Sequence, residues 1–277
     1  LAAALLLLAL AACSGADRPP AATVAVAPTV TVPPPTTTTT VLAPAARVAA
    51  DLLAAETAIH DPATPDADMD RWGQAQQAAS RELIVHPDLE ADALALLPDR
   101  VRATAEAHLA AGKDISILNG PVDPERPLPH WHIVPPEPAT ALLAHYRDAQ
   151  AATGVPWQYL AAIHLVETRL GRIRGDSSAG ARGPMQFIPS TWDIYGEGGD
   201  IESTADSIAA AARMLRANGA LTDMARALYS YNNSDRYVRA ITVYARQMQD
   251  DERTFLAYHG WQVYYGPMLL PEGTVIP

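Results

Sequence analysis

Only one cysteine occurs among the 277 residues, which excludes a disulfide within a single chain and a cysteine-rich metal site. Basic side chains are scarce too: 20 Lys and Arg stand against 31 Asp and Glu, for a formal charge of −11. The positive footprint that neutralises phosphates is missing, so nucleic acid is not an expected partner. Aromatic residues make up 6% of the chain. The hydrophobic content of 49% is dominated by alanine and leucine, which favour helices over strands. An all-α or mainly α fold is therefore expected, in one or two domains. The apolar run at residues 1–10 is too short to span a bilayer.

That run leads into Leu10-Ala11-Ala12-Cys13, which resembles the lipobox of a bacterial lipoprotein signal peptide. The resemblance implies cleavage before Cys13 and a diacylglycerol on its thiol, giving an exported protein anchored by lipid to the outer face of the cell membrane and facing the cell wall. Residues 1–12 then form a partial signal peptide. The methionine and basic segment that should open such a peptide are not present, so the sequence is expected to lack its first residues. Residues 13–44 are built from Ala, Pro, Thr and Val, including Pro33-Pro34-Pro35 and the threonines 36–40. Such a stretch buries too little apolar surface to offset its chain entropy and reads as a disordered, lipid-anchored linker.

Helical periodicity begins at residue 45, with Val48, Leu52 and Leu53 on one face, and continues through 72–84, 89–97 and 101–109. Pro62, Pro65, Pro87 and Pro98 punctuate it. Residues 45–119 are expected to form a small helical module held by packing, with no residue cluster that suggests chemistry. Residues 120–277 are expected to form a second domain with a C-terminal tail. Within 120–138 the pair His130 and His132 flanks Trp131, but no third ligand is spaced to complete a metal site, and a loop packing its tryptophan is the expected reading. Two helices follow, 140–152 with Leu142, Leu143 and Tyr146 on one face, and 156–170, the most apolar helix in the chain.

The chemistry concentrates at the end of that last helix. Apart from His164, residues 160–166 are apolar, and Glu167-Thr168-Arg169 follows. Apolar surroundings disfavour the ionised carboxylate and raise its pKa, as a general acid near neutral pH requires. Alone, however, Glu167 near a helix end beside Arg169 reads more readily as a solvated ion-pair residue. His164 lies one turn before Glu167 without further ligands at metalloenzyme spacing, so a packed core histidine is expected. Residues 197–202 are acidic but lack the alternating oxygen ligands of a calcium loop. No metal or cofactor is expected.

Three ordered blocks shift the balance. They are Glu167; then Ser177-Ser178-Ala179-Gly180-Ala181-Arg182-Gly183-Pro184-Met185-Gln186-Phe187-Ile188-Pro189-Ser190; and Tyr231-Asn232-Asn233-Ser234 with Tyr237. In that order and spacing the chain resembles the lytic murein transglycosylases of the lysozyme-like superfamily, in the membrane-bound lytic transglycosylase B-like group, over roughly residues 142–248. Gly199-Asp200-Ile201 and the helical stretch 203–218 look like that group's intervening segment.

The resemblance implies that Glu167 is the single catalytic acid and base, and that Ser177, Gln186 and Asn232 belong to the substrate site. Tyr231 is expected to help close the cleft and Tyr237 to offer an aromatic platform. Gly180 and Gly183 are expected to allow close approach of a sugar. The implied substrate is the glycan strand of peptidoglycan, cut between N-acetylmuramic acid and N-acetylglucosamine to leave a 1,6-anhydromuramoyl end. Two other readings stay open: a hydrolytic muramidase drawing a second carboxylate from Asp176 or Asp193, and a non-catalytic wall-binding lipoprotein that recruits other cell-wall enzymes. Trp261, Tyr264 and Tyr265 in the tail are expected to pack back on the domain rather than stack on sugar.

Overall fold

A computed structural model describes residues 42–120 and 130–276, so Cys13 and most of the linker lie outside the described residues. The fold is mainly α. Among the described residues the helices are α1 (Pro44–His60), α2 (Met69–Val85), α3 (Glu90–Ala95), α4 (Asp99–Asn119), α5 (Ala139–Thr153), α6 (Trp157–Thr168), α7 (Pro189–Tyr195), α8 (Thr204–Ala217), α9 (Met224–Tyr231), α10 (Asp235–Asp250) and α11 (Arg253–His259). Two short antiparallel pairs complete it. β1 (His132–Ile133) pairs with β2 (Ile173–Arg174), and β3 (Val263–Tyr265) with β4 (Met268–Leu270).

Local sequence explains where the helices begin. Proline opens α1 and α7, where its missing N–H costs nothing. Side chains of Ser203, Asp223 and Ser234 accept from the backbone N–H groups of Asp206, Arg226 and Arg236 and so cap α8, α9 and α10. Helix α6 stops at Thr168, two residues short of the apolar pattern, because Arg169 and Leu170 turn left-handed at φ 54° and 58°. Helix α4 runs ten residues beyond the expected 109, while Leu53 of α1 faces outward.

One core gathers Leu142, Leu160, Ile163, Met185, Phe187 and Ile241 around α6. A second, built from Val48, Leu52, Leu83, Leu97 and Leu109, lies within α1–α4. The two are joined, since α4 and α6 both pack on α10 and α2 packs on α11, and Leu42–Pro277 is one compact unit. The closest approach is at Gly73 of α2, where an added Cβ would lie 1.9 Å from the Ala257 carbonyl oxygen. The tail folds back: Trp261 is 6% exposed, its ring 4.7 Å from Tyr258 and 5.8 Å from Tyr244, and its Nε1 donates to Gln76 Oε1 at 3.2 Å. Trp131 is half-buried with its ring edge-on to Tyr265, the two centroids 6.0 Å apart.

Candidate active site

Glu167 occupies the last turn of α6, half-buried, where the apolar helix delivers it to the surface. Burial pushes its carboxyl up from an ordinary 4.5 to about 7, against the opposing pull of a hydrogen bond from Tyr237. That bond runs from the Tyr237 hydroxyl to Glu167 Oε1 at 2.7 Å. Among the described residues no second acid contributes to the shift. The group is thus largely protonated just below neutral pH and ionised just above it.

Tyr237 comes from the first turn of α10 and is only 2% exposed. Its ring lies nearly parallel to that of Tyr231, at 4° and 6.3 Å between centroids. Its contribution is therefore a hydroxyl fixed on the acid, and its ring is not the exposed platform expected from the sequence. Tyr231, the last residue of α9, is half-buried and donates its hydroxyl to the Met185 carbonyl at 2.6 Å. Asn232 caps the carboxyl end of α9, exposed. It makes no side-chain hydrogen bond among the described residues.

The loop that follows β2 is tied to the same helix end. Thr168 Oγ1 donates to the Pro184 carbonyl at 2.6 Å, directly beside Glu167 in sequence. Within the loop, Ser177 Oγ accepts from the N–H groups of Ala179 (3.2 Å) and Ala181 (3.0 Å), which pins the turn and leaves the hydroxyl proton free. Arg182 and Phe187 pair across a tight reversal. Its corner holds Gln186 in the left-handed region at φ 51°, a costly conformation for a residue with a side chain. The Gln186 amide nitrogen donates to the carbonyls of Gly183 (3.0 Å) and Gly175 (3.4 Å). At Gly183, φ 72°, the protein's own packing leaves no room for a side chain: a Cβ there would sit 1.9 Å from the Ile201 carbonyl oxygen, whereas nothing lies within 4 Å of one at Gly180.

The structure thus links Glu167, Tyr237, Tyr231 and the loop carrying Ser177 and Gln186. Thr168 and the Met185 carbonyl also belong to this framework, although nothing in their residue types marks them. Asp176 and Asp193 are both exposed, and neither acts on the Glu167 carboxyl. His164 is fully buried and neutral, its pKa lowered to about 3 by burial and by the charges of Arg174 and His145, with Nδ1 2.7 Å from the Tyr146 hydroxyl. It is a core histidine.

Residues 145–253 match a family model described as the Transglycosylase SLT domain. The span holds Glu167, Ser177, Gln186, Tyr231, Asn232 and Tyr237. No curated protein and no solved structure matches the chain. The match, on a mainly helical fold, supports a lytic transglycosylase of the lysozyme-like superfamily acting on peptidoglycan.

Proposed function

We propose that the protein cleaves the β-1,4 bond between N-acetylmuramic acid and N-acetylglucosamine in peptidoglycan and closes the muramoyl end as a 1,6-anhydro ring, in the manner of the membrane-bound lytic transglycosylase B-like enzymes. The observation that carries this reading is a carboxyl that burial pushes up to about 7, with no second acid among the described residues contributing to the shift, held by a buried tyrosine hydroxyl. Such a group serves as acid and then as base at the same pH. Protonated Glu167 gives its proton to the glycosidic oxygen as the bond to C1 breaks, and N-acetylglucosamine leaves as an alcohol. The muramoyl acetamido oxygen shares the charge developing at C1. The Glu167 carboxylate then takes the proton of the C6 hydroxyl, whose oxygen bonds to C1. Protons balance, and no water is consumed.

In this reading Ser177 offers its free hydroxyl proton, Gln186 its amide oxygen to an acetamido N–H, and exposed Asn232 lines the opposite wall. Two-carboxylate hydrolysis would need Asp176 or Asp193 as the second acid across the bond; both are exposed, and the raised pKa of Glu167 comes from burial without a contribution from either. A binding protein would have no use for a carboxyl buried at a cost to stability. The sequence at Cys13 supports export with a lipid anchor on the outer face of the membrane, and a Cys13→Ala variant is expected to lose label from a radioactive fatty acid.

Mass spectrometry of sacculi digested by the purified protein tests the reaction. Anhydromuramoyl ends are expected from the parent protein, and about 10²–10⁴-fold less product from Glu167→Gln. Reducing muramic ends would replace the transglycosylase reading with hydrolysis.

A further inference from the structure

The turn that carries Gln186 is closed by its own backbone. The Arg182 N–H donates to the Phe187 carbonyl at 2.9 Å, the Phe187 N–H returns the bond at 2.8 Å, and the Gln186 N–H donates to the Gly183 carbonyl at 3.0 Å. Those bonds fix the shape of the turn but not its place against Glu167. The carbonyls of the two buried residues at its centre, Pro184 and Met185, are each held by a hydroxyl from a different helix. Thr168 Oγ1 of α6 donates to Pro184 at 2.6 Å, and the Tyr231 hydroxyl of α9 donates to Met185 at 2.6 Å. Among the described residues no other side-chain hydrogen bond joins α6 to residues 175–187.

Thr168 is 1% exposed, so water does not compete for its hydroxyl. The oxygen also accepts from the Gly171 N–H at 3.1 Å, just past the left-handed pair that ends α6. Its one proton is thus committed to the Pro184 carbonyl, and the two bonds strengthen each other. Neighbouring residues on a helix project about 100° apart, so the last turn of α6 brings Glu167 to the surface and turns Thr168 inward. The acid and the clamp share one rigid piece of backbone. The circuit closes on the far side, where the Tyr231 ring stacks on that of Tyr237, whose hydroxyl reaches Glu167 Oε1 at 2.7 Å. Ser177 is pinned inside the same loop by Ala179 and Ala181. Ser177 and Gln186 therefore move with the loop as a unit, and Thr168 ties that unit to the helix end that bears the acid.

We infer that Thr168 is a positioning residue for the reaction: its hydroxyl sets the alignment of the loop-bound sugar with the Glu167 proton, and not the strength with which the sugar is held. The role rests on the lytic reading. It is tested on the full chain with soluble, uncross-linked glycan strands, measuring kcat and KM well below the melting temperature of each variant. Thr168→Val keeps the shape of the side chain and removes both bonds. Its kcat is expected to fall about 10–100-fold with KM within about threefold of the parent, because a misaligned acid slows the chemistry without loosening the sugar. Thr168→Ser, which keeps the hydroxyl and loses a methyl, is expected to recover most of kcat while melting lower than the parent. Where the valine variant gives no cooperative melt, Thr168→Ala takes its place, since alanine suits the helix and differs from serine by the hydroxyl alone. Parent kcat in the variant without the hydroxyl, a rise in KM that accounts for its loss, or a serine variant no faster than it overturns the role. A parent that leaves the strands uncut overturns the lytic reading and takes the role with it, whereas an active parent confines the outcome to Thr168.

Discussion

Glu167 is the residue at which function and stability oppose each other. Its pKa is about 7 in the folded protein against an ordinary 4.5, so between those values the folded chain holds a proton that the unfolded chain has released. Stability falls as pH rises through that window. The full penalty, reached above pH 7, is at most about 3 kcal/mol. Glu167→Gln is therefore expected to raise the melting temperature at pH 8 and to have little effect at pH 4, while removing activity. A melting-temperature gain of the same size at both pH values would show that the carboxyl is not strained by burial. The same pKa sets the alkaline limb of kcat/KM near pH 7, since the free enzyme must enter protonated. Because the Tyr237 hydroxyl stabilises the carboxylate, Tyr237→Phe is expected to move that limb up by roughly one pH unit. An unmoved limb would separate the tyrosine from the acid.

At the level of elements, the site depends on a loop whose path is fixed by backbone sterics. Gly183 faces the Ile201 carbonyl so closely that any Cβ must displace it, and its φ is 72°. Gly180 has a similar φ of 77° but open space around it. Gly183→Ala is expected to cost about 2–4 kcal/mol, from strain plus overpacking, and Gly180→Ala about 1 kcal/mol from strain alone. Because Gln186 Nε2 bonds the Gly183 carbonyl, turnover should drop with Gly183→Ala beyond what the lost stability explains. Thermal melts and turnover of the two variants check this, and equal losses would contradict it. The ordered blocks made Glu167, Gln186 and Tyr237 legible as neighbours across 70 positions of sequence. That the Tyr237 ring is buried was not legible, because exposure follows from how α9 meets α10. Arg169 was equally opaque: adjacent to Glu167 it suggests an ion pair, yet the left-handed turn at 169 and 170 carries it to Trp261 instead. Helix α10 itself was readable in principle, since Tyr237, Ile241, Tyr244, Ala245 and Met248 are buried at helical spacing, but its mixed polar composition hides it beside the apolar run of α6.

The whole molecule is held together by polar groups that the module's sequence does not advertise. Glu56 of α1 is 2% exposed. It accepts from Gln76 Nε2 at 2.8 Å, and its second oxygen lies 3.3 Å from His60 Nε2. His60 reaches across to Asp251, at the junction of α10 and α11, with Nδ1 2.6 Å from Oδ2, and Arg253 donates to the Ile59 and Thr64 carbonyls beside it. Burial works to raise the Glu56 carboxyl, but the histidines and Gln76 outweigh it and hold it below its ordinary 4.5. Glu56 and Asp251 hold His60 above its ordinary 6.5 despite its burial. His108, fully buried against Tyr258, is lowered by burial. The signs define a window. The raised His60 contributes fully below pH 6.5, and its contribution is lost as pH rises through its folded value; the depressed Glu56 contributes above pH 4.5, and its contribution is lost as pH falls through its own. The ionic contact between α1 and the α10–α11 corner is therefore strongest between about pH 4.5 and 6.5. Relative to Glu56→Gln, which keeps the shape and the Gln76 contact, the parent protein is expected to show its largest stability advantage inside that window and a shrinking one on either side. Urea titrations of both proteins from pH 4 to pH 9 measure it. A difference that stays flat with pH would mean that packing around Gly73 and Ala257, and not charge, holds the α1–α4 module in place.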